Sequence, residues 1–389
     1  MALHKRYLFI SNGPKQRPEI YDQTTPITLN NFSIPCVEAA LSMGYAVTVG
    51  INRKYAAEIC CRHYDINFYN AEIYRNPFNF REVYRAYKNL CCFLQNHPVD
   101  VIHCNTPIGG FLGRICGHKY HVGKIIYTAH GFHFYKGAPL LNRMLFKTVE
   151  RLLAKKTDAI ITINQEDYRQ VQKFKLKSGG TVYYVPGVGI DCRDFAHIAV
   201  DKELKRRELG ISAKDFMIIS VGDLNRNKNH ESIIRAVAAA DNPGYQLFIC
   251  GEGPLREQLQ QLALKLNIAD QVHLIGYRTD IKQLLAISDV FVICSLREGL
   301  PRSTMEAMAC GLPCIASGIR GNVDLLENHN GGILVAPQAV TEYVDALNLL
   351  YENPSLRREF GQTNLMTVRK FDTDIVKARI KEIYGTVLL

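Results

Sequence analysis

Nowhere in the 389 residues does an apolar run approach the roughly 18 to 20 positions that a membrane-spanning helix needs. The opening MALHKRYLFISNG carries basic residues but only the short apolar run YLFI. That is too little for the hydrophobic region of a secretory signal and suits a first buried strand. A cytoplasmic protein is the expectation. Twelve cysteines are present, yet none forms a C-x-x-C pair of zinc-ligand spacing. They sit in apolar runs, ICC at 59–61, LCC at 90–92, FVIC at 291–294 and CGLPC at 310–314. Small buried thiols in a reducing compartment fit this setting better than disulfides. The chain also lacks low-complexity segments and repeats of solenoid period. No basic strand is interleaved with aromatics, so a nucleic-acid partner is not expected despite the net charge of +10.

What is present is an ordinary globular composition, 47% apolar and 22% charged, at a length that suggests two domains. Residues 1–190 hold 24 Lys and Arg against 12 Asp and Glu, a balance of +12. Residues 191–389 hold 23 against 25, a balance of −2, so the two halves face different partners. Short apolar runs alternate with amphipathic helical stretches throughout. In the first half the runs are 7–11, 46–51, 99–104, 124–129, 158–163 and 182–187. In the second they are 216–222, 245–251, 272–277, 290–295, 313–317 and 331–335. Such alternation predicts parallel sheets buried on both faces, here two doubly wound α/β domains joined near GVGIDCRDF at 187–195. The division expected is 1–190 and 191–370. Ligands of such sheets sit beyond the carboxyl ends of the strands, and a shared site would lie in a cleft between the domains.

Four successive strand ends of the second half carry Gly, polar or charged residues, at Gly222, Gly251, Gly276 and Ser295. The last leads into EGLPRSTMEA. Gly299 and Pro301 put Glu298 before a helix and Glu306 inside it. Two readings stay open. Ser303 and Glu306 have capping-box spacing. Alternatively, backbone N–H groups from about Leu300 to Thr304 form an anion site at the helix N-terminus, flanked by carboxylates able to accept from sugar hydroxyls. Arg226 and Lys228, in GDLNRNKN, are two cations placed to neutralise a diphosphate leaving group.

These motifs resemble those of the retaining GT-B glycosyltransferases, the large two-glutamate family that includes relatives of glycogen and sucrose synthase. The match rests on Glu298 and Glu306 with seven residues between, the G-x-L-x-x-x-K loop (Gly222, Leu224, Lys228), GEGP, and CGLPCIAS. In the first half, YTAHGFHFYKGAPLLNR resembles a bacterial branch that assembles capsule, exopolysaccharide and glycan-lipids. The resemblance implies a fold of two Rossmann-like domains, with the C-terminal helix 371–389 packing back on the first. It implies that Glu298 contacts the donor hexose and Glu306 the ribose, and that Lys228 and Arg226 hold the diphosphate. The loop at Tyr277 and Arg278 would meet the base, and His130 would face the transferred sugar and acceptor. Gly13, Gly222, Asn225, Gly299, Leu300, Pro301, Arg302, Ser303 and Thr304 are implied to line the donor site. Two departures stand out. Many relatives have Arg where this chain has Asp223, and their N-terminal Gly-Gly loop is here SNGPKQ.

Other candidates weigh less. His130 and His133 are too few for a metal site, and Asp191 and Asp194 fall in the linker, so no metal or cofactor beyond the donor is expected. His103 is left open between a structural and a functional role. In the helix 140–156, Arg143, Lys147, Arg151 and Lys155 share one arc, opposite Leu141, Leu145, Val149, Leu152 and Leu153. The basic arc is either a solvated face or a patch drawn to anionic lipid at the inner face of the plasma membrane. The function expected is transfer of a hexose from a nucleotide diphosphate sugar, UDP-linked, to a lipid-linked or glycan acceptor. A nucleotide-sugar epimerase or hydrolase of the same fold is the alternative.

Overall fold

The structure, a computed structural model, describes residues 5–11, 29, 32–52, 64–74, 79–135, 137–196, 198–212 and 214–388. The chain divides into two compact units, Met1–Gly189 with Asp374–Leu389, and Ile190–Thr373.

The first unit holds β1 (Arg6–Ile10), β2 (Ala46–Ile51), β3 (Ile66–Asn70), β4 (Val101–Asn105), β5 (Lys124–Ala129), β6 (Ala159–Thr162) and β7 (Thr181–Tyr184). They form one sheet ordered β3-β2-β1-β4-β5-β6-β7, parallel at every pairing. The central strands are apolar without alternation because helices cover both faces; every residue of β4 and of β6 is buried. The edge strand β3, INFYN, was not anticipated. Its half-exposed pattern leaves only Tyr69 buried, so it lacks the continuous apolar run that marks the others. The helix Thr373–Val387 packs on this unit through Val376, Ile380, Ile383 and Tyr384, with Lys377 paired to Glu38 at 2.9 Å.

His103, on β4, belongs to this core. Its Nδ1 faces the hydroxyls of Tyr7 at 3.0 Å and Tyr384 at 2.5 Å, and Nε2 faces Thr128 Oγ1 at 2.8 Å. Burial, helped by nearby His130, lowers its pKa to about 3, so the ring is neutral. With every ring nitrogen engaged, His103 is a structural histidine.

The second unit holds β8 (Phe216–Val221), β9 (Tyr245–Cys250), β10 (Val272–Gly276), β11 (Val290–Ile293), β12 (Cys314–Ser317), β13 (Glu327–Asn328) and β14 (Gly331–Val335). The order is β10-β9-β8-β11-β12-β14-β13, again parallel throughout. Ile218, Ile233, Leu247, Ile249, Val292 and Ile315 anchor its core, each fully buried and each contributing about 1.5–3 kcal/mol relative to exposure. The strand order reverses between β1 and β4 in one unit and between β8 and β11 in the other. Loops leaving those strands on the carboxyl side diverge and open a crevice.

The described cysteines are all free thiols; Cys60 and Cys61 lie outside the described residues. Burial pushes the thiols of Cys36, Cys104, Cys250 and Cys294 up to about 12, so they behave as small apolar side chains.

Candidate functional site

The second unit's crevice is built from the loop after β8 and the loop after β11. Leu224 is fully buried and anchors the first loop. Its amide donates to Glu252 O at 2.9 Å, and its carbonyl accepts from Leu255 N at 3.1 Å. This explains GEGP: a Cβ on Gly251 would stand 2.0 Å from Gly222 O, and its φ of +153° is one that side chains avoid. The loop and the end of β9 approach to backbone contact only because Gly251 has no side chain.

Lys228 folds back over the end of β8. A Cβ on Gly222 would lie 3.1 Å from Lys228 Cδ and Cε, so this glycine leaves the channel for the lysine stem. Lys228 Nζ reaches Glu298 Oε1 at 2.7 Å, and the two side chains keep 20% and 14% of their exposure. Asparagines hold the loops together. Asn225 Oδ1 accepts from Lys228 N at 3.1 Å and closes the turn. Asn227 O accepts from Leu296 N at 2.8 Å while its Nδ2 donates to Arg297 O at 2.9 Å. Asn229, left-handed at φ +51°, donates to Cys294 O at 3.2 Å. Arg226 points to solvent and makes no ion pair among the described residues.

Beyond Glu298, Gly299 and Leu300 lead to Pro301, the N-cap of the helix Arg302–Ala309. Among the described residues no side chain caps this helix, so the capping-box reading is corrected. Ser303 is already helical and cannot serve as N-cap, while Glu306 Oε1 accepts from Arg302 Nε at 2.8 Å. First-turn amides of an uncapped helix keep their partial positive charge. Thr304 Oγ1 and Ser295 Oγ are buried here without a hydrogen-bond partner among the described residues.

Arg320, which motif reading did not single out, supports the site from beneath. It is buried at 6% exposure and donates from Nε to Glu298 O at 3.0 Å. The signal was available: Arg320 follows β12 by three residues, one more charged residue at a strand end. His230 was also passed over. It lies buried beside Ser220 Oγ at 3.3 Å, and burial, then Lys228, lowers its pKa to about 4.

Other expected residues stand apart from this cluster. Tyr277 is exposed after β10, whereas Arg278 is committed to Asp280 through contacts of 2.7 and 2.6 Å. With Lys205 at 3.0 Å, this holds the Asp280 carboxyl down at about 2, chiefly through Arg278. Asp191 and Asp194 do not act together, since Arg193 takes the first and Lys282 the second. His130 belongs to the first unit, at the end of β5, half-buried with Phe32 edge-on at 4.8 Å. His133 packs against Phe146 at 5.0 Å. Gly13 lies outside the described residues. Chemically, the crevice sets one lysine, one carboxylate and an open helix N-terminus side by side, an arrangement able to hold an anion next to a hydroxyl-bearing group.

Family models match both units: "Glycosyltransferase Family 4" over residues 38–188 and "Glycosyl transferases group 1" over residues 201–365. The chain is 31% identical over 362 residues to a putative glycosyltransferase, EpsD, of Bacillus subtilis, covering 92% of this chain and 93% of that one. It is 31% identical over 259 residues to the Escherichia coli UDP-Gal:alpha-D-GlcNAc-diphosphoundecaprenol alpha-1,3-galactosyltransferase, covering 65% and 67%. Among solved structures, Anabaena HepE in complex with UDP and glucose superposes with a TM-score of 0.76 over 98% of this chain and 100% of that chain, at 19% identity. The fold is therefore GT-B, with two Rossmann-like parallel-sheet units as the resemblance implied; each sheet has seven strands among the described residues, one more than its half of the twelve expected runs supplies. The chain belongs to the GT4-type glycosyltransferases of bacterial polysaccharide and glycan-lipid biosynthesis.

Proposed function

We propose that this glycosyltransferase moves a hexose from a UDP-sugar to a saccharide carried on a lipid diphosphate, retaining the anomeric configuration. The observation that carries the reading is the 2.7 Å contact between Lys228 and Glu298 beside an uncapped helix. Lys228, Arg226 and the amides of the first turn meet the diphosphate. Glu298 accepts from the hexose hydroxyls, Glu306 is assigned to the ribose, and Tyr277 to the base. The printed activity of the E. coli relative, a galactosyltransferase acting on a diphosphoundecaprenol acceptor, supports both substrates.

In this scheme the acceptor oxygen attacks the anomeric carbon on the face from which UDP departs. The bond from that carbon to the β-phosphate oxygen breaks, and the oxygen takes the acceptor's proton. The chain supplies position and charge. Negative charge grows on the departing phosphate, where Lys228 and the helix N-terminus await it. His130 is assigned to the transferred sugar and acceptor. The balance of +12 in residues 1–190 suits an acceptor with an anionic linker, reached from the cytoplasmic face of a membrane. Among the described residues no helix is long and apolar enough to cross a bilayer.

The test is a panel of UDP-hexoses incubated with and without a polyprenyl-diphosphate saccharide, followed by NMR of the anomeric centre. Acceptor-dependent release of UDP with a retained anomeric configuration is expected. Release of free sugar or an epimer from donor alone, at an undiminished rate, would favour the epimerase or hydrolase instead.

A further inference from the structure

Asp167 is fully buried, and the transfer scheme does not use it. It sits at the third position of the helix Gln165–Val171, whose N-cap Asn164 accepts from the Asp167 amide at 2.9 Å. In a capping box the acidic side chain at that position returns to the N-cap amide. Asp167 turns the other way. Its Oδ2 accepts from Phe132 N at 3.1 Å and from Asn164 Nδ2 at 2.8 Å. Burying a carboxyl group is costly without partners, and the partners here join its helix to a neighbouring loop.

That loop is HGFHF, residues 130–134, and the sheet order brings the two together. β5 and β6 are parallel neighbours with Ala129 opposite Thr162, so the loop after one and the helix after the other leave the same edge side by side. Within the loop Gly131 has φ +147°, a value that side chains avoid. Phe132 and Phe134 are buried and stack at 4.6 Å. Their rings fix where the loop is anchored, but not how the peptides before them are turned.

The outer side of the loop gives little support. His133 rests on Phe146 of the helix Leu140–Ala154, in which only Leu153 and Ala154 are buried, while Leu141 is 82% and Leu145 60% exposed. Glycine leaves the backbone at 131 weakly restricted, so the bond from the next amide to Asp167 selects the turn. His130 stands on the near side of that turn, its ring against Phe32.

We propose that Asp167 is a positioning residue for hexose transfer: by holding the Phe132 amide, it fixes the backbone that presents His130 to the transferred sugar and acceptor. This rests on the role assigned to His130 above and adds the group that orients it. Asp167 touches no substrate and acts through the loop.

NMR of the full chain with isotope-labelled histidine, and initial rates with a UDP-hexose and a polyprenyl-diphosphate saccharide, test the proposal. His130→Gln identifies the His130 signal by its loss. Asp167→Ala should move that signal and lower kcat about ten- to a hundredfold, the effect of a small misplacement, with KM for the UDP-hexose within about twofold. Asp167→Asn still offers one carbonyl oxygen to both donors, so it should return the signal to its wild-type position and recover at least about half of kcat. In the His130→Gln background Asp167→Ala should cost nothing further, because both changes act on one interaction. Val171→Ala alters a fully buried side chain on the same helix; it should lower the melting temperature and leave signal and kcat unchanged. Asp167→Leu, which keeps the volume, gives the same readings if the alanine variant does not fold. An unmoved signal in Asp167→Ala, equal losses in the Asn and Ala variants, or an undiminished loss on top of His130→Gln would overturn the positioning role. If the signal moves as stated but His130→Gln turns over at the wild-type rate, Asp167 still orients the loop and the role given to His130 fails.

Discussion

Replacing Lys228 by Met leaves the Glu298 carboxylate beneath the loop with no cation at 2.7 Å. An exposed pair of this type contributes roughly 0–1 kcal/mol, and stripping one partner from a fully buried pair costs about 3–5 kcal/mol. Side-chain exposures of 20% and 14% put this pair between those limits, at about 1–3 kcal/mol. For a unit the size of Ile190–Thr373, such a loss lowers the melting temperature by about 3–10 °C. Glu298→Gln removes the charge from the other side and should cost less, because an amide tolerates the site better than an orphaned carboxylate. The double variant should recover much of the stability, giving a coupling of about 1–2 kcal/mol in a double-mutant cycle read by calorimetry. Catalysis should behave differently. Each single variant should fall below about 1% of wild-type turnover, and the double should be no worse than the weaker single, since both groups serve one transition state. UDP affinity separates the roles. Lys228→Met should weaken UDP about 10- to 100-fold, as expected for one charge-assisted hydrogen bond. Glu298→Gln should leave UDP nearly unchanged and lose only what the hexose adds. If Lys228→Met binds UDP and turns over within twofold of wild type, the assignment of this crevice to the donor is wrong.

Two further outcomes follow from the packing of the same unit. Gly251→Ala places a methyl 2.0 Å from Gly222 O, so the loop must move; the variant should lose about 2–4 kcal/mol and most UDP affinity in a thermal-shift assay, and a melting point within 1 °C of wild type would contradict the close approach. His230 carries a pKa of about 4 when folded against 6.5 when unfolded, so the unfolded chain takes the proton first. Its contribution is present above about pH 6.5 and is lost as pH falls from there to about 4, on the order of 3 kcal/mol at 1.36 kcal/mol per pH unit. His230→Gln should therefore flatten the acid limb of melting temperature against pH, and parallel limbs would refute the buried neutral imidazole.

The strands were legible because a parallel sheet covered on both faces requires continuous apolar runs, and FMIISV or YQLFIC admits few other readings. All twelve anticipated runs are strands. INFYN escaped because an edge strand needs no such run, and Glu327–Asn328 is too short to carry a signal. The pairing of Glu298 with a cation from GDLNRNKN was also within reach, since both motifs follow strand ends. Which reading of EGLPRSTMEA held was not. Ser303 and Glu306 have the spacing of a capping box, and only the start of the helix at Arg302 places Ser303 inside it. Arg226 and Arg278 look alike as strand-end cations, yet Arg278 is spent on Asp280, a partner whose geometry no spacing rule supplies.

The order of apolar and polar residues along the chain determined the two α/β units and the loops that carry chemistry, because strand burial and turn residues are local consequences of side-chain type. Tertiary structure alone decided which charges are paired, which glycines stand at backbone contact, and that the helix Leu140–Ala154 leaves its leucines bare. Those outcomes depend on distances between segments far apart in sequence. A periodicity can show that a helix has an apolar side, but only the packed neighbours determine whether that side is covered.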